Sequence, residues 1–401
     1  MAKIYPFRAL RPQSDLAELV ASVPYDVVNR GEAKELASGC PQSFLHVTKP
    51  EIDMPTDVDV YSDQVYARGR SKLDEFVESG TLFREATEHL YLYALTMNGK
   101  RQTGVVMCAS IEEYDRNDLK KHEFTRPDKE DDRVRHMEIL GAQSGTVFLV
   151  HRDTEQLNAL VASLSSGPAK VDFVASDGVR HQIWDVGDES SIEALVKAFG
   201  ESGSLYIADG HHRSAAASRV AKTRGIQNGG FLAVSFPISE IEILPYNRLV
   251  KDLHGHSVES FLDAIGSAFE ITQGKPEHLV KQSFAMYLGK QWYGLKPKSL
   301  GTRDGDPVLS LDVSILQDLL LEPILGIDDP RRNKRIEFVG GIRGDGELVK
   351  RVDANGGVAF SLFPTSIEEL LRIADTNEVM PPKSTWFEPK LRDGLFVHLL
   401  D

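Results

Sequence analysis

One corner of this sequence constrains its fold more than any other stretch. Ser204-Leu205-Tyr206-Ile207-Ala208 has the composition of a short buried strand, and Asp209-Gly210-His211-His212-Arg213 follows it with no linker. Ser214 to Thr223 continues with helical spacing until Gly225, which can take the left-handed C-terminal position of a helix without a Cβ penalty. Phe231 to Phe236 reads as the next strand. The result is a βαβ-like unit with a very sharp strand-to-helix turn. Ala215-Ala216-Ala217 keeps its helix thin enough to lie close against a sheet.

The rest of the chain surrounds that unit with mixed elements and no internal repeat. His89 to Met97 and Thr103 to Ile111 alternate about Asn98-Gly99, the strongest short hairpin signal. Val171 to Ala175 and His181 to Val186 form a second hairpin about Asp177-Gly178, and Thr146 to His151 reads as a buried strand. Helical patterns run over Asp15 to Val23, Tyr66 to Glu78, Ser257 to Ile265, Pro276 to Phe284, Val313 to Leu325 and Ser366 to Ala374. Ala285 to Leu295 suggests a hairpin at Gly289-Lys290. Arg335 to Val339 and Val358 to Phe363 are strands on either side of a Gly-rich turn. The expected fold class is α+β, a mixed sheet core elaborated by hairpins and helices. A chain of 401 residues suggests two regions: a core over 1–250, and a C-terminal α+β region over 251–401 whose tail can return to the site.

Charge narrows the partners. Forty-six Lys+Arg against 60 Asp+Glu give a net charge of −14, and no long basic run appears, so nucleic acid is disfavoured. A small anion held by a few local cations is compatible with that balance, because close contacts outweigh a screened distant field. The two cysteines, Cys40 and Cys108, make no CxxC pair and fit a reducing compartment. No apolar run approaches the roughly 18 residues of a membrane span. Met1 to Phe7 also lacks the apolar core of a secretory signal, so a cytoplasmic, unanchored chain is expected.

The corner itself carries the densest chemistry. Amides at a helix start attract anions, and Gly210 lets backbone approach a ligand. Arg213 can grip phosphate oxygens in a fork, with Ser214 beside it. Asp209 can cap the helix, hold Mg²⁺ or orient a histidine, and His211 and His212 can move protons near neutral pH. The plainer reading is a capped helix start with two surface histidines. Three further clusters stand out. Lys121 to Arg133 mixes His122, Glu123, Thr125, Lys129 and Arg133 around a proline, but Arg126 breaks the His-Glu-x-x-His zinc signature. It reads as a charged loop able to close over a phosphorylated ligand, or as a solvated loop only. Met380 to Lys390 offers Lys383, Ser384, Thr385 and Lys390, or else a proline-stiffened tail packed by Trp386 and Phe387. Pro24-Tyr25-Asp26-Val27 offers Asp26 as a metal ligand or a turn residue. Walker A, Rossmann and Gly-x-Ser-x-Gly motifs are absent, which argues against a P-loop kinase, dehydrogenase or serine hydrolase.

Pro24-Tyr25-Asp26-Val27, His122-Glu123-x-Thr125 through Asp132-Arg133, Ala208 to Arg213 and Met380 to Thr385 occur in that order along nearly the whole chain. In this the chain resembles the bacterial and archaeal family labelled domain of unknown function ten-fifteen, which automatic labels tie to SpoOJ/ParA/ParB/RepB partition proteins. It departs from the family pattern at Val23, Asn247 and Trp386, where proline, histidine and tyrosine are expected. The corner is also similar to a fold group containing ParB, sulfiredoxin and free-serine kinases. The nucleophilic cysteine of sulfiredoxins is absent here, and ParB's Gly-Glu-Arg-Arg shares only Gly210 and Arg213. The kinases' Asp-Gly-His-x-Arg is matched at Asp209, Gly210, His211 and Arg213.

That likeness implies a ParB/sulfiredoxin-like strand-turn-helix unit that binds nucleotide phosphate. It also implies phosphoryl transfer or phosphate-ester hydrolysis on a small hydroxylated or phosphorylated metabolite, with serine or phosphoserine the specific expectation. The roles then follow: Gly210, Arg213, Ser214, Lys129, Arg133, Lys383, Ser384 and Thr385 on phosphate; Asp209 and Asp26 on Mg²⁺; His211, His212, His122, Glu123 and Asp209 in catalysis, with Glu123 as base. An adenine nucleotide, ATP or ADP, is the implied cofactor. The alternatives are a ParB-like nucleotide-gated DNA-binding protein and a non-catalytic metabolite sensor.

Overall fold

Asn98 and Gly99 take positive φ, 52° and 79°, the geometry a two-residue hairpin turn needs to follow the twist of its strands. They join the two long strands at the heart of an eight-stranded sheet. In chain order its strands are β1 (Ile4–Tyr5), β2 (Leu90–Met97), β3 (Lys100–Ser110), β4 (Val147–His151), β5 (Val171–Val174), β6 (Arg180–Val186), β7 (Leu205–Asp209) and β8 (Gly230–Pro237). The order across the sheet is β7-β4-β8-β3-β2-β6-β5, with β1 on β3. All pairings are antiparallel except β8 on β4, which makes the sheet mixed. The second expected hairpin is β5–β6, turned at Gly178 with φ 82°. This is a computed structural model, and it describes residues 2–303 and 305–400.

Two helices cover the β7 end, α1 (Pro127–Leu140) and α2 (His211–Arg224), and they pack on each other. Pro127 suits the first turn of α1, where its missing N–H would have had no partner. Gly225 closes α2 with φ 66°, as its position in the sequence predicts. Ala216, Ala217 and Val220 join Leu149, Ile207 and Phe231 in one buried cluster, so the small face of α2 is what lets it lie on the sheet. The βαβ-like expectation needs correction. β7 is antiparallel to β4 and β8 is parallel to it, so β7 and β8 flank β4 and run in opposite directions. The connection from β7 through α2 to β8 is therefore not a parallel crossover.

The chain divides into Met1–Ile241 with Pro389–Asp401, and Glu242–Glu388. The divide falls before residue 250 because Glu242–Leu244 and Tyr246–Val250 already pair within the second unit. The C-terminal stretch joins the first unit through bridges between Ser22 and Asp393 and between Leu10 and Val397. Strand His398–Leu399 also pairs with Ala142–Gln143.

The second unit is an antiparallel six-stranded sheet in the order Phe269–Gln273, Gln291–Pro297, Phe284–Leu288, Val358–Leu362, Tyr246–Val250, Ile336–Gly340. Helix Ile367–Asp375 starts at a capping box on Ser366 and Glu369. Two expectations fail here. Pro276 to Phe284 is not helical: Val280 is exposed, Gln282 has φ 63°, and the buried Phe284 belongs to the following strand. Gly340 to Gly346 is not a hairpin connection. Leu348 and Val352, four apart, draw Gly344–Asn355 into a helix against the sheet. Asp15 to Val23 yields only Ala17–Val20 as α-helix, while Asp312–Leu316 continues into a π-turn at Gln317–Leu321.

Candidate functional site

Gly210 has φ 102°, a left-handed conformation that a residue with a Cβ adopts only at a cost. A Cβ there would also lie 3.3 Å from Val147 Cα and 3.5 Å from Arg213 Nε. The glycine thus permits the turn and close packing on β4; the space beside it is filled by protein rather than left for a ligand.

The turn throws Arg213 inward, where it is 8% exposed. One guanidinium nitrogen, Nη1, donates to the Thr146 carbonyl, and Gly145 leaves room for the side chain, since a Cβ there would be 3.0 Å from Arg213 Cδ. Burial works against the charge, but Asp26, Asp209 and Asp393 outweigh it and hold the Arg213 pKa above its ordinary value. Asp393, 1% exposed, has neither carboxylate oxygen met by a donor. Burial pushes its pKa up to about 7, with Arg213 opposing and Asp26 adding to the rise.

Beside these groups is a cleft lined by Tyr25, Arg133, His136, Ser144, Gly145, Arg213 and Asp393, among others. It contains about 430 Å³ counted out to its open mouth, but its closed interior leaves only about 20 Å³. That is room for a water or two, which would satisfy the Asp393 carboxylate. Arg133 stacks 3.9 Å over the Tyr25 ring and pairs with Asp132 at 2.6 Å.

The same turn carries one member of a histidine pair. The Lys120 amide donates to the Leu205 carbonyl at 2.8 Å, and the Ile207 amide donates to the Lys120 carbonyl at 2.9 Å. This backbone pairing along the β7 edge brings His122 to His211, ring centroids 4.5 Å apart and edge to face. Burial depresses His122 to about 4, and it drives His211 well below its ordinary value, with His122 adding to the effect. Both rings are neutral near pH 7. His122, Glu123 and His211 offer ligand atoms all within 4.8 Å of one another. His212 Nε2 accepts from the Arg126 amide at 3.0 Å, and Lys390 Nζ lies 3.4 Å from Asp209 Oδ2. Asp209, the last residue of β7, acts electrostatically on Arg213, His122 and His211 alike.

Other expected site residues are engaged differently. Ser214 is fully buried, its hydroxyl donating to the His211 carbonyl at 3.0 Å, so it is turned away from any phosphate. Lys129 donates to the Tyr61 hydroxyl at 2.8 Å, and Thr125 to Glu130 at 2.6 Å; neither lines the cleft. Asp26 is exposed. Among the described residues, neither it nor Asp209 belongs to a cluster of three or more metal-ligating groups. Lys121 to Arg133 is a short loop followed by α1 rather than one long loop. Lys383, Ser384 and Thr385 lie in the second unit, where Arg248 donates to the Lys383 carbonyl at 3.0 Å and Thr365 to the Ser384 carbonyl at 3.0 Å. Asn247 is buried there, and its Oδ1 accepts from the Leu362 amide at 3.1 Å, a structural duty.

The family described as "Protein of unknown function (DUF1015)" matches residues 4–314. The chain belongs to this family. No curated protein matches its sequence. Among solved structures it is similar to a free serine kinase in complex with AMP, at 14% identity and TM-score 0.37, over 74% of this chain and 92% of that one. It is also similar to a C-terminally truncated SbnI from Staphylococcus aureus, at 12% identity and TM-score 0.41, over 73% and 87%. A conserved hypothetical protein from Pyrococcus furiosus follows at 15% identity and TM-score 0.35, over 74% and 95%. Among the described residues, no helix is long and apolar enough to cross a membrane.

Sequence reasoning missed Asp393, Tyr25 and the Ser144-Gly145-Thr146 turn. Asp393 stands in Leu391-Arg392-Asp393-Gly394, which has the composition of an ordinary turn. Only its pairing with Ser22 carries it to Arg213. The one available signal was the apolar run Leu395-Phe396-Val397 directly after it, which marks a buried tail.

Proposed function

We propose that this protein transfers or hydrolyses phosphoryl groups on a small hydroxylated metabolite, with serine or phosphoserine as the substrate and an adenine nucleotide as partner in the transfer. The carrying observation is the juxtaposition at one strand-to-helix turn. Arg213 faces a cleft, a neutral histidine pair lies with Glu123, and Asp209 acts on Arg213 and on both histidines. Phosphoryl transfer needs positioning and charge neutralisation more than covalent participation by the protein, and these are the resources gathered here. The match of Asp209, Gly210, His211 and Arg213 to the free-serine kinase motif supports the substrate class.

In this reading the phosphoryl group sits at the cleft mouth, since the interior is too small for it, against Arg213 and Arg133. Asp209 would hold a Mg²⁺ ion brought in with the nucleotide, and the ion would supply neutralisation of phosphate charge. In the kinase direction the substrate hydroxyl oxygen attacks phosphorus and the bond to the nucleotide oxygen breaks. The hydroxyl proton passes to the group formed by Glu123, His122 and His211. In the hydrolytic direction water attacks, the ester P–O bond breaks, and the same group takes the proton from water while one returns to the leaving alkoxide.

The test is incubation of the purified protein with phosphoserine and Mg²⁺, with and without ADP, assaying serine, phosphate and ATP. Serine appearing with phosphate, or with ATP, supports the reading and fixes the direction. No product in either direction across several small phosphate esters overturns it.

A further inference from the structure

His122 is 2% exposed, yet its Nδ1 has no hydrogen-bond partner. The Ile207 backbone carbonyl on β7 acts on the same ring. A buried imidazole with one nitrogen unsatisfied and a backbone carbonyl at hand to orient the ring is the usual setting of a metal-bound histidine. The neighbours supply the rest. His211 is 5% exposed and its Nε2 faces the His122 amide at 3.5 Å, the limit of a hydrogen bond. Glu123 is half-buried. The donor atoms of all three lie within 4.8 Å of one another, so modest side-chain adjustment brings each to bonding distance of one ion at about 2.0–2.2 Å.

The geometry points to a site for one divalent transition-metal ion, held by His122, Glu123 and His211. The donor set selects the class of metal: two imidazoles and one carboxylate suit Zn²⁺, Co²⁺, Mn²⁺ or Fe²⁺, whereas Mg²⁺ and Ca²⁺ take oxygen ligands. Three protein ligands leave a coordination position for a hydroxyl or water, the arrangement of a reactive ion rather than a structural one. The inference deepens the phosphoryl-transfer reading and rests on it for the ion's purpose: with the ion bound, the three side chains act as its ligands instead of taking the proton themselves, and the ion acidifies a bound hydroxyl or water whose proton leaves to solvent. Binding of the ion itself depends only on the three side chains. The other grouping of this kind, Glu85, His89 and Asp185, is already occupied: Arg11 pairs with Glu85 at 2.5 Å and Asp185 at 2.7 Å.

The experiment is titration of the chelator-stripped full chain with Co²⁺, followed by its visible absorption and by calorimetry with Zn²⁺. One equivalent should bind with ligand-field bands. His122→Gln and Glu123→Gln should each weaken binding at least tenfold, while His89→Gln leaves it unchanged. Because Glu123 is half-buried, Glu123→Gln keeps the test decisive if the histidine variant does not fold. Absence of stoichiometric binding, or binding indifferent to Glu123→Gln, overturns the site. Turnover of phosphoserine in Mg²⁺ alone, unaffected by stripping, also overturns the ion's role while leaving the phosphoryl reading in place. A bound ion with no turnover on any ester does the reverse.

Discussion

Arg213 serves two ends that pull its substitution in opposite directions. It is the cation a phosphate would meet, and it is also the donor to the buried Thr146 carbonyl and a charge that opposes the burial-driven rise of Asp393. Removing it leaves a buried carbonyl without its donor, which typically costs about 1–3 kcal/mol. Arg213→Ala should therefore lower stability by about 1–3 kcal/mol in urea denaturation as well as abolish turnover. The second substitution Asp393→Asn, which replaces a carboxyl that burial already favours in its neutral form, should change that stability little and return none of the activity. If Arg213→Ala is as stable as the parent, the guanidinium has no structural duty at Thr146. Recovery of turnover in the double variant would show that Arg213 acts only through Asp393. Ser214 carries no such double duty, because its hydroxyl is spent within its own helix.

The elements bring these residues together by a route that the sequence discloses unevenly. The corner from Leu205 to Arg213, its glycine terminator and both flanking hairpins follow from local signals: strand composition, helical spacing, and Asn-Gly and Asp-Gly turns. Local signals could also pick out the histidines and Arg213. They could not disclose that Lys120 pairs with β7, or that Ser22 and Asp393 bridge, because each is a backbone pairing between segments far apart in sequence. The same limit hid the reversed direction of β8 relative to β7, since a helix between two strands looks alike in either sense. The Lys120 pairing is open to test. Lys120→Pro removes the amide that donates to Leu205 and should shift His122 out of register with His211. We expect a stability loss of about 1–3 kcal/mol, the cost of one buried hydrogen bond. Turnover and Co²⁺ affinity should each fall at least tenfold, far more than so small a destabilisation of a folded chain would cause. Unchanged turnover in Lys120→Pro would mean that His122 is held by something other than this edge.

Across the molecule, the buried titratable groups set the response to acid, and the two units differ in sign. In the first unit burial holds His122, His136 and His151 near 4 and His181 near 3, with His211 well below its ordinary value. Their unfolded pKa is about 6.5, so between pH 6.5 and 4 the unfolded chain takes up five protons that the folded unit refuses. Two carboxyls oppose them: Asp393 is raised by burial to about 7 and Glu240 is also raised by burial, so the folded unit holds up to two protons that the unfolded chain gives away. Five less two leaves three in favour of the unfolded state. Stability should therefore fall as pH drops through this window, by on the order of 4 kcal/mol per pH unit. The second unit has Asp312, raised to about 7 chiefly by burial. Its contribution is full below the unfolded aspartate pKa near 4 and is lost as pH rises through 7, the opposite trend and about a third as steep. Calorimetry from pH 6.5 to 4.5 should show the first unit's transition moving sharply down while the second's holds or rises. If the two units melt together, three protons against one still leave a net fall. Asp312→Asn should flatten the second unit's response and leave the first untouched. A melting temperature that climbs on acidification would mean that these histidines are not buried in their neutral form.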